Sequence, residues 1–347
     1  LADLERKVPI TPSTVFDAGS VMKQFVAASV LLLVDDGRLK LTDDIRKYFP
    51  ELPDYGHTVT VDLLLTHTSG VRDWTGILPF AADNPDALTV TLRQQGLNFV
   101  PGEEWAYSNG GYVLARELVA RVSRMPFGEF ARTRLFEPLG LKSTRFVTDM
   151  KGAGATLALA YEKRGDTWQP HMMEGNARGG GALLTTPGDL VTWLDALMAG
   201  RPGKFVTEKI QEPATLNNGK TLEYARGLIN ADNGVRIIWH GGSADAYKTV
   251  VGHFPDHKFS IAIMCNAGEA ADARASFAAR IFDLFLPGAR RANTSAAAAP
   301  ATAKPAEERA VPSTPAERYL PSADDLKAFA GRYESKEVGS VFRITAG

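Results

Sequence analysis

Ser20-Val21-Met22-Lys23-Gln24-Phe25-Val26-Ala27-Ala28-Ser29-Val30-Leu31-Leu32-Leu33-Val34 reads as a helix. Asp17 to Ser20 supply small and polar start residues, and Gly37 suits a C-terminal cap. Apolar residues cover nearly the whole circumference, so the helix should be buried on every side. Ser20 and Lys23 are three apart and share a face. A serine hydroxyl is a weak nucleophile that needs a base. A lysine amine becomes one when burial lowers its proton affinity. Backbone N–H groups at a helix start can also receive an oxyanion. Taken alone, however, Ser-x-x-Lys more often marks a capping serine and a solvated lysine.

Outward from this helix, Asp43 to Tyr48, Val61 to Thr66, Gly110 to Val122, Phe127 to Phe136 and Asp189 to Met198 read as further helices. Thr186-Pro187-Gly188-Asp189 is the start signal of the last. Then the pattern changes. Val235 to Trp239, Tyr247 to Phe254 and Lys258 to Cys265 read as strands, the last two joined by a tight turn at Pro255-Asp256-His257. Ala270 to Phe285 returns to helical spacing. The expected class is α/β (α+β): an antiparallel β-sheet flanked by helices, with an all-helical subdomain over about 41–200 inside a domain of 1–286. Residues 287–321 are Ala/Pro-rich, without apolar periodicity, and read as a linker. Residues 322–347 read as the opening of a small β-rich C-terminal module.

The 347 residues carry 39 basic against 40 acidic side chains, a net charge of -1. That balance gives no basic field for phosphate backbones and argues against nucleic acid as a partner. The single cysteine, Cys265, lies in an apolar run and reads as a buried, inert thiol. Phe25 to Val34 is the longest apolar run, far below the ~20 residues that span a bilayer. The chain begins at Leu1 and not at an initiator Met, so an export signal could lie upstream; a periplasmic or secreted location is expected over a cytoplasmic one. His171, His253 and His257 show no metal-ligand spacing, and no cofactor is expected.

Two further pieces carry chemistry. In Tyr107-Ser108-Asn109, a tyrosine near Lys23 could exchange its proton, and Asn109 could hold both Lys23 and a substrate amide. In His240-Gly241-Gly242-Ser243, placed directly after the strand that ends at Trp239, glycines allow close backbone approach. Each piece alone also reads as an ordinary turn. His67, in a Thr/Ser-rich turn, reads as a structural hydrogen-bonding residue, Trp74 and Trp105 as cleft or packing residues, and Arg178 as an exposed cation.

In that order, the three pieces resemble the serine β-lactamase and D-alanyl-D-alanine carboxypeptidase superfamily, in its class C-like branch with D-aminopeptidases and β-lactamase-like esterases. Further matching stretches are Phe16 to Ser20, Leu64 to Gly70, Glu137 to Gly140 and Gly179 to Leu183, and the resemblance covers residues 9 to 286. It implies that Ser20 is acylated, that Lys23 and Tyr107 manage the proton, and that Asn109 orients Lys23 and substrate. It also implies that His240 stands where many relatives carry the lysine of Lys-Thr-Gly, and that Gly241, Gly242 and Ser243 line the oxyanion side. The N–H groups of Ser20 and Ser243 would form the oxyanion hole. Relatives usually begin with two strands upstream of the Ser20 helix, so the sheet is expected to lack an edge.

The implied activity is a serine hydrolase acting on a small molecule or short peptide, with no metal. Histidine is mostly neutral at pH 7 whereas lysine is a permanent cation, so His240 favours an esterase or D-amino-acid peptidase over a class C-like β-lactamase. No glutamate matches the deacylating base of class A β-lactamases. The reading from another class is a non-catalytic regulatory or binding protein of the same fold. The oligomeric state stays open.

Overall fold

A computed structural model of the chain describes residues 1–77, 80, 86–150, 154, 156–172, 181–232, 234–289, 322 and 327–345. Arg178, Gly179, Gly180 and most of the expected linker, from 290 to 321, lie outside the described residues.

Helix α1 spans Met22–Asp35. The helix expected from Ser20 opens two residues later, because Gly19–Val21 form a tighter 3₁₀ turn. The cause is local: Gly19 sits at φ 54, and its N–H donates to the Asp17 carboxylate at 2.8 Å. As the apolar circumference predicts, Phe25, Val26, Val30, Leu31 and Leu33 are fully buried. Each such side chain contributes roughly 1.5–3 kcal/mol. Phe25 meets the Phe136 ring edge-on at 5.5 Å and the Trp193 ring at 4.5 Å.

Helices α2 (Val61–Leu65), α3 (Ala87–Leu92) and α4 (Asn109–Ser123) each start at a side-chain cap. Thr60, Asp86 and Ser108 accept the N–H of Leu63, Thr89 and Gly111, satisfying donors that the first turn leaves open. The expected helix at Asp43 to Tyr48 shrinks to a 3₁₀ turn at Ile45–Lys47. The expected Phe127 to Phe136 helix is α5 (Phe127–Ala131), a π turn at Arg132–Phe136 and α6 (Glu137–Leu139), stopped by Gly140 at φ 77. Helices α7 (Pro187–Met198), α8 (Lys204–Gln211) and α9 (Ala270–Phe285) complete the set among the described residues.

Five short strands precede the main sheet: β1 (Phe16–Asp17), β2 (Arg145–Val147), β3 (Tyr161–Arg164), β4 (Thr167–Pro170) and β5 (Ala182–Thr185). β5 lies between β1 and β2, antiparallel to both, while β3 and β4 form a hairpin. Within 41–200, then, the expected all-helical subdomain is helical as far as Leu139; β2 to β5 follow, and α7 closes the stretch.

The main sheet has the order β6 (Ile229–Asp232), β7 (Arg236–Ala244), β8 (Tyr247–Phe254), β9 (Phe259–Cys265), antiparallel throughout. Side chains alternate faces along a strand. Ile238 and Val251 join the α1 core, while Trp239, Val250 and Phe254 face α9, where the Phe254 and Phe282 rings lie 4.3 Å apart. The sheet therefore sits between α1 and α9. Cys265, expected to be buried, is half-buried at the end of β9.

The C-terminal strands β10 (Gly331–Ser335) and β11 (Ser340–Ile344) form a hairpin whose tip docks on the loop after α2. Arg72 Nη1 donates to both carboxylate oxygens of Glu337, at 3.0 and 2.8 Å. The Gln95 N–H donates to the same carboxylate at 2.8 Å, and Ser340 Oγ donates to the Phe80 carbonyl at 2.7 Å.

Candidate active site

The turn before α1, the loop before α4 and strand β7 bring the marked residues to one place. Tyr107 O–H donates to Ser20 Oγ at 2.7 Å, and Lys23 Nζ donates to Ser20 Oγ at 3.1 Å. Lys23 Nζ also donates to Asn109 Oδ1 at 2.8 Å. Lys23 is fully buried, while Ser20 and Tyr107 are part-exposed, so solvent reaches the Ser20 residue but not the amine. The Lys23 amine lies 4.7 Å from the Tyr107 ring centre and 5.5 Å from that of Tyr112.

Burial sets the proton affinities. Desolvation pulls the Lys23 ammonium down to about 7, opposed in part by the Asp73 carboxylate. It pushes the Tyr107 phenol the other way, above its ordinary value, although the Ser20 contact pulls it back somewhat. Near neutral pH the amine is therefore able to give up its proton and accept another, while the phenol keeps its own.

The His240-Gly241-Gly242-Ser243 segment is not a turn after a strand. It continues β7, paired residue by residue with β8, Gly242 opposite Thr249 and Ser243 opposite Lys248. The glycines are there for approach. A Cβ on Gly19 would lie 2.6 Å from Ser243 N, and one on Gly242 would strike the Ala18 carbonyl. The backbone that carries Ser20 therefore rests directly on β7. Lys248 Nζ donates to Ser243 Oγ at 2.9 Å and ties that side chain to the sheet.

His67 has a larger share in the site than its sequence context shows. It is buried at φ 60, a conformation uncommon outside glycine. Its carbonyl accepts from Ala106 N–H at 3.0 Å and its Nδ1 from Ser108 N–H at 3.1 Å, so it grips the chain on both sides of Tyr107. With Nδ1 an acceptor, the ring proton sits on Nε2, which donates to Tyr224 Oη at 3.1 Å. Tyr224 in turn donates to His240 Nε2 at 3.2 Å, and His240 Nδ1 donates to the Gly241 carbonyl at 2.6 Å. Desolvation lowers His240 to about 4 and holds His67 well below its ordinary range, with the Lys23 charge lowering both further. His240 is thus neutral, with its one N–H spent on its own strand.

Asp73 and Tyr224 carry no motif, and sequence reasoning missed both. Asp73 Oδ2 accepts from Asn109 Nδ2 at 2.8 Å. Its only sequence signal is that of a cap, for its Oδ1 accepts the Thr75 N–H. Trp74 and Trp105 are half-buried, each with an indole N–H that has no partner, and the Trp105 ring lies 5.8 Å from that of Tyr224. Among the described residues no group of His, Cys, Asp or Glu is placed to hold a metal ion, and no helix is long and apolar enough to cross a membrane.

The Beta-lactamase family profile matches residues 1–285. Penicillin-binding protein 4* of Bacillus subtilis (strain 168) is 29% identical over 296 residues, covering 77% of this chain and 64% of that protein. Protein flp of Staphylococcus aureus (strain N315) is 25% identical over 284 residues, covering 76% of this chain and 55% of that protein. The chain thus spans less than two thirds of the length of these relatives. Among solved structures, the octameric penicillin-binding protein homologue from Pyrococcus abyssi superposes with a TM-score of 0.68 at 25% identity, over 81% of this chain and 69% of that one. The D-amino acid amidase from Ochrobactrum anthropi SV3, complexed with L-phenylalanine, superposes with a TM-score of 0.62 at 26% identity, over 77% of this chain and 82% of that one.

Proposed function

The chain belongs to the Beta-lactamase family, and from that premise we propose that it is a serine hydrolase that cleaves ester or amide bonds through an acyl-enzyme on Ser20. One observation carries the reading: the Ser20 hydroxyl contacts both a buried lysine drawn to about 7 and a tyrosine that keeps its proton. The neutral Lys23 amine takes the Ser20 proton as Oγ attacks the carbonyl carbon. The tetrahedral oxyanion rests on the N–H groups of Ser20 and Ser243. Tyr107 delivers a proton to the departing alcohol or amine and is reprotonated by Lys23. Water, deprotonated by the same pair, then attacks the acyl carbon and frees Ser20.

The substrate class follows from His240. A substrate carboxylate calls for a fixed cation or a free N–H donor, and His240 supplies neither. Esters and D-amino-acid amides or peptides therefore rank ahead of β-lactams, and the superposed D-amino acid amidase supports this order. The test compares initial rates on a short-chain p-nitrophenyl ester, a panel of D-amino-acid amides and a chromogenic cephalosporin, with Ser20→Ala as blank. Ester or amide turnover without cephalosporin turnover supports the reading. Ready cephalosporin turnover replaces it with a class C-like β-lactamase. No rate above the blank moves the chain to a non-catalytic binding or regulatory protein.

A further inference from the structure

Asn109 can hold Lys23 only one way round. A lysine amine that donates needs the amide oxygen, so the amide NH₂ must point elsewhere. It points at Asp73, a carboxylate that can only accept, 2.8 Å away. Asp73 is itself clamped. Its Oδ1 accepts the Thr75 N–H at 3.0 Å, and its neighbour Arg72 is fixed by the fully buried Gln94, which accepts the Arg72 N–H and donates to the Arg72 carbonyl, both at 3.0 Å.

We infer that Asp73 is a positioning residue for acyl transfer: it locks the Asn109 amide so that the oxygen faces Lys23 and the amine is aimed at Ser20. This rests on the serine hydrolase reading above. Lys23 is faced by Ser20, by Tyr107, Tyr112 and Asn109 from the α4 side, and at longer range by Asp73, His67 and His240. Burial keeps the two histidines neutral, and Asp73 is the acid that acts on the amine, holding its proton affinity up. Removing that charge leaves desolvation unopposed.

The test uses the full chain and the Asp73→Asn variant, which retains an oxygen for the Thr75 N–H. It measures kcat/KM against pH on the best substrate, together with the unfolding midpoint. The expected result is a loss on the order of 10- to 100-fold, with the limb that reports Lys23 moved to lower pH. A role limited to holding the loop would leave that limb in place. A double-mutant cycle with Asn109→Ala completes the experiment. If Asp73 acts through Asn109, adding Asp73→Asn to Asn109→Ala costs less than about twofold. The cycle decides even where Asp73→Asn lowers the midpoint, because that destabilisation is common to both of its arms. A full additive loss, or an unmoved limb, overturns the inference. A wild-type rate no higher than Ser20→Ala sinks the serine hydrolase reading instead, and the two failures are told apart by that blank.

Discussion

Two serine clusters among the described residues invite comparison, and in the proposed mechanism acyl transfer falls to the one at Ser20. At Ser20 the hydroxyl receives hydrogen bonds from Lys23 and Tyr107, sits in a turn held open by Gly19, and rests against the β7 backbone. At Ser260 the residue types look more familiar: the hydroxyl donates to Asp195 at 2.5 Å and contacts His253 Nδ1 at 2.8 Å. Yet Ser260 stands between the other two, so the histidine is oriented by no acid and takes no proton from an exposed hydroxyl. It lies inside β9 opposite His253, in extended backbone with no helix start behind it. What separates the clusters is backbone, because the proposed mechanism takes its oxyanion donors from the N–H groups of Ser20 and Ser243, and Ser260 in mid-strand has no counterpart to that turn.

The largest contrast comes from removing the hydroxyls. Ser20→Ala should abolish hydrolysis, while Ser260→Ala should stay within about twofold of wild type. A fluorophosphonate should add its mass to the folded protein once and leave Ser20→Ala unlabelled; labelling at Ser260 would end the comparison. Next, Lys23→Ala or Tyr107→Phe should each cost on the order of 10²-fold or more, and a Lys23→Ala variant with near-normal turnover would refute the role given to that amine. His67→Ala leaves the Ser108 N–H without its acceptor and takes from the Tyr224 hydroxyl one of its two histidine partners, and should destabilise the fold by about 3 kcal/mol. His253→Ala should cost less than half of that in a urea titration.

Smaller effects separate the clusters by pH. kcat/KM should rise with pH through about 7 as Lys23 gives up its proton, whereas His253→Ala leaves that profile unchanged. The smallest belongs to Asp17, whose buried carboxyl is raised by desolvation to about 6 against 3.8 in the unfolded chain. Between those values the folded state binds the extra proton, so stability should fall as pH rises from about 4 to about 6. Asp17→Asn should flatten the unfolding midpoint over that window.

Most elements were legible because periodicity is local. Ala270 to Phe285 shows helical spacing and forms that helix end to end, and Tyr247 to Phe254 forms β8 over the range read. What periodicity does not carry is pairing. Gly241 and Gly242 look like a turn in the linear chain, and it is the β8 ladder that keeps them extended. Likewise Gly19 lies against Ser243, a contact between residues far apart in sequence that no local pattern marks. In the site, Ser20, Lys23, Tyr107, Asn109 and His240 could be marked from short motifs. Asp73 and Tyr224 could not, for their partners are Asn109 and the two histidines, which only the fold brings near.

The grip of Glu337 on Arg72 has a thermodynamic counterpart. Arg72 is docked to the C-terminal hairpin, and Asp73, the next residue, is docked to Asn109. Two sites that share one loop share its ordering free energy, and such coupling is reciprocal. By whatever factor the seated hairpin tightens an occupant of the cleft, that occupant tightens the hairpin in return. If Arg72 and Asp73 transmit that coupling, protection of the β10 and β11 amides from exchange with solvent should rise when a ligand occupies the site at Ser20, and unchanged protection would show the two to be independent.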